Sequence, residues 1–393
     1  MRTSVSGSPD RLHLAIALDG TGWHPASWRE PGARPADLLT PGYWTDLVIA
    51  AERGLLDFVT IEDGLTLQSE HPFHPDERTD RVRGRLDATL IASRVAPRTR
   101  HIGLIPTVIA THTEPFHVSK AIATLDYVSS GRAGVRVQVS ARRDAVRHFG
   151  RRSVPERADV NDLLREAADY VEVVRRLWDS WEDDAEIRDI TTGRFIDRTK
   201  LHYIDFEGAW FSVKGPSITP RPPQGQPIVA ALGHVDPAYV LIASSTDVGF
   251  VTPHSSSETV TLVDAIAARR SACSPVRVFA DLAVFLDDSL DAARSRRQRL
   301  DQTAGCEYVS DAEIFAGTPT QLADLLQQWH AAGADGFRLR PATLPHDLLQ
   351  ITDGLVPELQ SRGLFRTSYM AATLREMLGL PRPANRYSTA ATT

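Results

Sequence analysis

Residues 45–63 read TDLVIAAERGLLDFVTIED. Tyr43 to Arg53 carries its apolar residues at helical spacing and stops at Gly54, a residue that ends helices easily. The pattern then changes. Leu56 to Ile61 is nearly all apolar, as a strand covered on both faces must be. It runs into two carboxylates, Glu62 and Asp63. A helix delivered straight into a doubly buried strand is the repeating unit of a parallel sheet.

The same alternation extends both ways. Before it, Leu12 to Leu18 reads as a strand. After it come a helical segment from Arg85 to Val95, a strand from His101 to Val108, and a helix from Pro115 to Val128. A fourth strand, Ala133 to Ser140, leads to a long amphipathic helix, Val160 to Trp178, with Leu163, Ala167, Tyr170, Val174 and Leu177 along one side. A polar, proline-punctuated stretch (179–225) interrupts the rhythm and reads as an insertion over the barrel between strands 4 and 5, not a second domain. Strands then recur at Ile228 to Leu232, Val248 to Val251, Val276 to Leu286 and Gly336 to Leu339, with helices at Pro237 to Ser244, Ser257 to Arg270, Leu290 to Gln302, Thr320 to Ala332 and Leu348 to Arg362. Eight strand–helix units most economically close into an α/β (β/α)8 TIM barrel over 11–380, with a loose tail at 381–393. An open doubly wound sheet is the alternative.

Composition narrows the class. A net charge of −6 argues against nucleic acid, which selects basic surfaces. The two cysteines, Cys273 and Cys306, have no paired spacing and read as reduced thiols in a cytoplasmic protein. Met1 to Asp10 is polar, and no apolar run approaches the roughly 20 residues a membrane span needs. There is no GxGxxG after the first strand, no GxxxxGK[ST] and no HExxH, so no dinucleotide fingerprint, phosphate loop or zinc-protease pair is expected.

In such a barrel the chemistry sits at the carboxyl ends of the strands. That rule selects His24 and Trp28 after strand 1, Glu62 and Asp63 after strand 2, Thr107 and His112 after strand 3, and Gly233–His234, His254 and Arg338–Arg340 later. On strand 4, Arg136, Gln138 and Ser140 share one face and Val135, Val137 and Val139 the other. A charge pointing into a barrel needs a partner, so Arg136 facing inward requires Glu62, Asp63 or an anionic ligand. Facing outward it would snorkel under a helix. His117, Lys120 and Asp126 read as scaffold.

Several of these stretches carry a family resemblance: His24-x-x-x-Trp28-Arg29, Glu52 to Phe58, His101 to Leu104, Glu114 to His117, Ala123 to Asp126 with Ser130-Gly131-Arg132, Leu177 to Trp181, Pro223 to Pro227, Asp335-Gly336-Phe337, Arg362 to Arg366, Thr373 to Glu376 and Leu378 to Pro381. In that order, across roughly residues 11 to 387, the chain resembles bacterial-luciferase-like flavin-dependent monooxygenases, most closely the branch with nitrilotriacetate and dibenzothiophene-sulfone monooxygenases. The resemblance implies FMN, reduced by a separate flavin reductase, which with O2 would oxygenate a small organic substrate. It implies a flavin ring near Asp63, Thr107 and the end of strand 4, with Arg136, Gln138 and Ser140, and a phosphate at Gly233–His234, where helix-start N–H groups suit an anion. His24, Trp28 and His112 would face the substrate side, with His24 and His112 as the catalytic candidates; His254, selected by its strand-end position, is a further substrate candidate, and a homodimer is expected.

The departures fall on the cofactor positions. Where the family has Trp-Asn-x-Val-Thr-Ser on strand 4, this chain has Val135-Arg136-Val137-Gln138-Val139-Ser140. Val235 and Ala238 replace a serine and a glycine of the phosphate loop, and Val160 and Leu164 replace a histidine and a tyrosine. These changes leave open an F420-dependent oxidoreductase, or a cofactor-poor barrel acting as a binding or partner subunit.

Overall fold

The strand–helix alternation closes on itself. In the computed structural model, which describes residues 11–69, 71, 74–150, 159–270 and 275–388, the barrel strands are β1 (His13–Leu18), β2 (Phe58–Ile61), β3 (Gly103–Ile109), β4 (Gly134–Gln138), β5 (Ile228–Leu232), β6 (Val248–Val251), β7 (Arg277–Leu286) and β8 (Gly336–Pro341). Each pairs in parallel with the next, and β8 pairs with β1. The sheet is therefore a closed (β/α)8 barrel, not an open doubly wound one. The polar start at 1–10, Cys273 and residues 389–393 lie outside the described residues. A further strand, Glu313–Gly317, joins the far half of β7. Its first four residues are only half-buried, so its sequence shows neither an apolar run nor a clean alternation.

Period two splits each strand between two cores. Outward side chains such as Val59, Ile61, Val135, Val137, Phe337 and Leu339 pack under the surrounding helices. Inward ones at the strand starts (Phe58, Ile105, Ile228, Val248, Phe279) form a separate apolar cluster. Its centre is aromatic, with Phe58 and Phe279 ring centroids 5.2 Å apart. Leu374 and Leu378, from the short helix Leu374–Met377 and the residue that follows it, complete this cluster and plug the barrel floor. Gly103 makes the close approach possible, because a Cβ there would lie 2.6 Å from Leu374. Arg375 locks the plug by donating to Asp247 Oδ1 (2.8 Å) and to the Gln226 carbonyl (2.9 Å). Burying each such leucine or phenylalanine is worth roughly 1.5–3 kcal/mol.

The 179–225 insertion packs at the floor end of the barrel. The helix before it, Val160–Asp179, runs antiparallel to the strands, so the chain leaves it at the floor end. There the insertion forms two small hairpins, and Gln224 donates to the Ala133 carbonyl just before β4 (2.8 Å). The tail is not loose as far as residue 388. Asn385 is buried and donates to the Asp179 and Trp181 carbonyls, both at 2.8 Å. The last barrel helix is also interrupted, by a π-type turn at Ile351–Leu355 between His346–Gln350 and Val356–Ser361. Asp126 serves the scaffold, accepting from Ala133 N–H (3.1 Å) and the Gln224 side chain (2.6 Å).

Candidate active site

Above the apolar floor the barrel interior becomes ionic. Arg136 points inward and donates to both oxygens of Glu62 (2.7 and 2.6 Å) and to Thr107 Oγ1 (3.0 Å). Arg338, fully buried, pairs with Asp281 and lies 3.7 Å from Glu62. Its guanidinium sits 4.0 Å above the Phe250 ring, where the apolar and ionic layers meet. Arg340 pairs with Asp281 (2.5 Å) and with Asp311 (2.5 Å), and Asp311 lies 3.3 Å from His234. The result is one alternating chain of charges across the barrel, from Arg136 to His234. Burial pushes Glu62 upward, but Arg136, Arg338 and Arg85 outweigh it and hold the carboxyl below its ordinary value. Burial pushes Asp311 up as well, yet Arg340 brings it down to about 2.

The loop after β1 is fixed against the extension of β8. Trp23 N–H donates to the Pro341 carbonyl and His24 N–H to that of Ala342. Gly22 makes this possible: its φ is +131°, and a Cβ would sit 2.3 Å from the Ala342 oxygen. His24 is 1% exposed. Its Nδ1 accepts from Ala26 N–H (3.0 Å), which leaves Nε2–H to donate to Asp301 (3.1 Å). Burial lowers its pKa, against the pull of Asp301.

A cavity of about 330 Å³ opens at the mouth. His24, Asp63, Gln138 and Ser140 line it, as do Trp23 and the arginines of the 81–85 loop. A second cavity of about 250 Å³ lies between the ends of β4 and β5, lined by Arg136, Gln138, Leu164, Leu232, His234 and Leu241. Gln138 borders both. Its Oε1 and the Nε of Arg136 are buried without a hydrogen-bond partner among the described residues, which in a polar pocket marks a place for a ligand.

The site residues expected from sequence divide accordingly. Asp63 borders the cavity but also accepts from Gly64 and Ala88 N–H (2.6 and 2.9 Å), starting the helix Ala88–Val95, and burial raises its pKa. Ser140 Oγ accepts from Arg142 N–H at 3.3 Å. Thr107 is fully buried and committed to Arg136. His24 has both ring nitrogens on protein partners.

Three placements depart from expectation. Trp28 does not border either cavity: its indole N–H donates to the Asp80 carbonyl (2.9 Å) and pins the 76–85 loop. His112 is stacked on Phe149 (5.4 Å, 7°) of the helix Arg143–Phe149. His254 is half-exposed, 3.1 Å from Glu313, and borders neither cavity.

At the expected phosphate turn, Gly233 N–H is taken by the Phe250 carbonyl and Ala238 N–H by that of Val235, while Pro237 has no N–H. Asp236 adds a carboxylate to the first helical turn, where an anion would sit. Asp281, Arg338 and Arg340 carry much of the charge chain. Their signal was a charged residue on the inner face of an otherwise apolar strand. No group of three or more His, Cys, Asp or Glu suited to a metal ion occurs among the described residues, and no helix there is long and apolar enough to cross a membrane.

Comparison with known proteins gives this geometry its context. A family model described as luciferase-like monooxygenase matches residues 23–307. N-acetyl-S-(2-succino)cysteine monooxygenase of Bacillus subtilis (strain 168) is 31% identical, with 98% of this chain and all of that protein covered. Nitrilotriacetate monooxygenase component A of Aminobacter aminovorans is 28% identical over 96% of this chain and 98% of its own length. Among solved structures, the long-chain alkane monooxygenase LadA superposes with a TM-score of 0.83 at 24% identity, covering 94% of this chain and 95% of its own, and shows the same fold.

Proposed function

Because the chain belongs to the luciferase-like monooxygenase family and is a flavin-dependent monooxygenase acting on a small organic molecule, we propose that its flavin is FMN, delivered in reduced form by a separate reductase and used with O2. The observation that carries this reading is the buried pair of unpartnered polar atoms, Gln138 Oε1 and Arg136 Nε, between two cavities at the strand ends. One is an acceptor and the other a donor, and a flavin ring offers both kinds of group along one edge. When bound, the flavin supplies the oxygen chemistry. This chain's residues hold it, order the mouth and exclude water. Arg136, fixed by Glu62 and Thr107, presents its charge with little reorganisation.

The residues fit the ring better than the phosphate. The Gly233–His234 turn is short of N–H donors and carries Asp236, and burial keeps His234 toward its neutral form. No role in the reading depends on that turn. The expected consequence is that FMN gains little affinity over riboflavin.

The reading also includes a homodimer in the cytoplasm. Leu90 and Val128, on the helices after β2 and β3, are 69% and 47% exposed and suit a partner subunit. The thiol of Cys306 is free and exposed, which suits a reducing compartment.

Anaerobic titration of the isolated protein with reduced and with oxidised FMN tests the proposal, followed by mixing with O2. Saturable binding of reduced FMN, with peroxide released when no substrate is present, is the expected result. No binding of either form would remove FMN and leave the cofactor-poor or F420-dependent alternatives.

A further inference from the structure

We propose that the larger mouth cavity takes a substrate bearing a carboxylate group, gripped by an arginine rim; this deepens the flavin-oxygenase reading and rests on it. The rim is Arg81, Arg83 and Arg85 from one loop, and Arg142 from beyond β4. The lining also holds two carboxylates, Asp19 and Asp63. Asp19 is taken by Arg85 (3.0 and 2.5 Å), and burial pushes Asp63 toward its neutral form.

The pairing pattern leaves donors over. Arg85 spends its Nε and one terminal nitrogen on Asp19, and Arg142 does the same on Asp144 (3.0 and 2.5 Å). Arg83 spends its Nε on the Arg78 carbonyl (2.9 Å) and one terminal nitrogen on Asp76. A guanidinium has five N–H groups, and in each of these three the Nη1 end makes no hydrogen bond among the described residues. The side chains are 14–24% exposed, so water competes only partly for those donors. A planar two-oxygen anion matches such a fork. The second cavity, walled by Leu164, Leu232 and Leu241, offers no comparable rim. The anionic end of the substrate therefore belongs in the larger one.

Citrate and its neutral triethyl ester serve as probes, titrated into the protein by calorimetry, with tryptophan fluorescence as a second signal because Trp23, one of seven tryptophans, lines the cavity. Citrate is expected to bind saturably and more weakly as salt rises, and the ester not to bind. Arg83→Gln and Arg142→Gln should each weaken citrate roughly ten-fold or more. Arg83→Lys should recover part of that loss, and reduced-FMN affinity should stay within about three-fold, with circular dichroism confirming that each variant folds. Citrate that fails to bind, or binds the variants as well as the wild type, overturns the inference while intact FMN binding leaves the flavin reading standing. A preference for FMN over riboflavin that disappears in both glutamine variants also overturns it, since the arginines then hold the flavin phosphate. Failure of the wild type to bind reduced FMN counts against the flavin reading alone, and the citrate titration still decides the rim.

Discussion

The barrel interior has two storeys with opposite chemistry. The lower is aromatic and aliphatic, built from Phe58, Ile105, Ile228, Phe279 and the plug residue Leu374. The upper is a charge ladder of Arg136, Glu62, Arg338, Asp281, Arg340 and Asp311. Both are closely packed, but only the lower gains from leaving water. Burying the ladder costs desolvation that its ion pairs at best offset, and apolar replacements of similar volume commonly match or exceed such networks in stability. A layer that adds little stability and reaches a cavity through Arg136 is best accounted for by what it does for a ligand. The lower storey holds the barrel together, and the upper one sets the electrostatics of the mouth.

Substitutions can break that division. The largest effect is expected from Asp281→Ala, which strands two buried guanidiniums and should cost about 5 kcal/mol in urea unfolding. Phe279→Ala opens a hole in the lower storey and should cost about 3–4 kcal/mol, with flavin affinity corrected for folding unchanged. Replacing the ladder core outright, as Asp281→Leu with Arg338→Met and Arg340→Met, should recover most of the stability that Asp281→Ala loses, yet weaken reduced-FMN binding. Unchanged flavin affinity in that triple variant would make the upper storey mere packing.

Gln138→Leu should leave the unfolding midpoint nearly unmoved and weaken flavin by about 0.5–1.5 kcal/mol, the worth of one ordinary hydrogen bond. The smallest effect concerns acid stability. Asp311 is held at about 2, below the ordinary 3.8. A carboxyl lowered on folding contributes fully above its unfolded value and loses that contribution as pH falls through the folded one. Asp311→Asn should therefore lower the unfolding midpoint at pH 7 and flatten its fall between about pH 4 and 2, so that variant and wild type converge in acid.

The lower storey was legible in the sequence because apolar periodicity is a statement about burial. All eight strands were found that way. The upper storey was half legible. Arg136 stood out as a charge on the inner face of β4, and Glu62 was named among its possible partners. Asp281 passed as one polar residue inside the run from Val276 to Leu286, because its partners lie 57 and 59 residues away. The arginine rim was not legible at all. Arg81, Arg83 and Arg85 occupy a loop without periodicity, and what makes them neighbours of Arg142 is closure of the barrel, which no local pattern encodes. Trp28, His112 and His254 show the converse. Position after a strand end put them near the mouth, but a hydrogen bond to Asp80, a stack on Phe149 and an ion pair with Glu313 decided where they point.

The plug of the barrel floor bears on how the molecule is made. Leu374 and Leu378 leave the ribosome long after Ala15, yet they finish a cluster that Ala15 begins. Until they arrive, the nascent chain carries an open-ended cylinder with Phe58 and Phe279 uncovered beneath. Synthesis from the amino end therefore cannot complete this core until the plug emerges, and the uncovered cluster is open to aggregation until then. Truncation before Leu374 should give a product that is made at a normal rate and recovered in inclusion bodies.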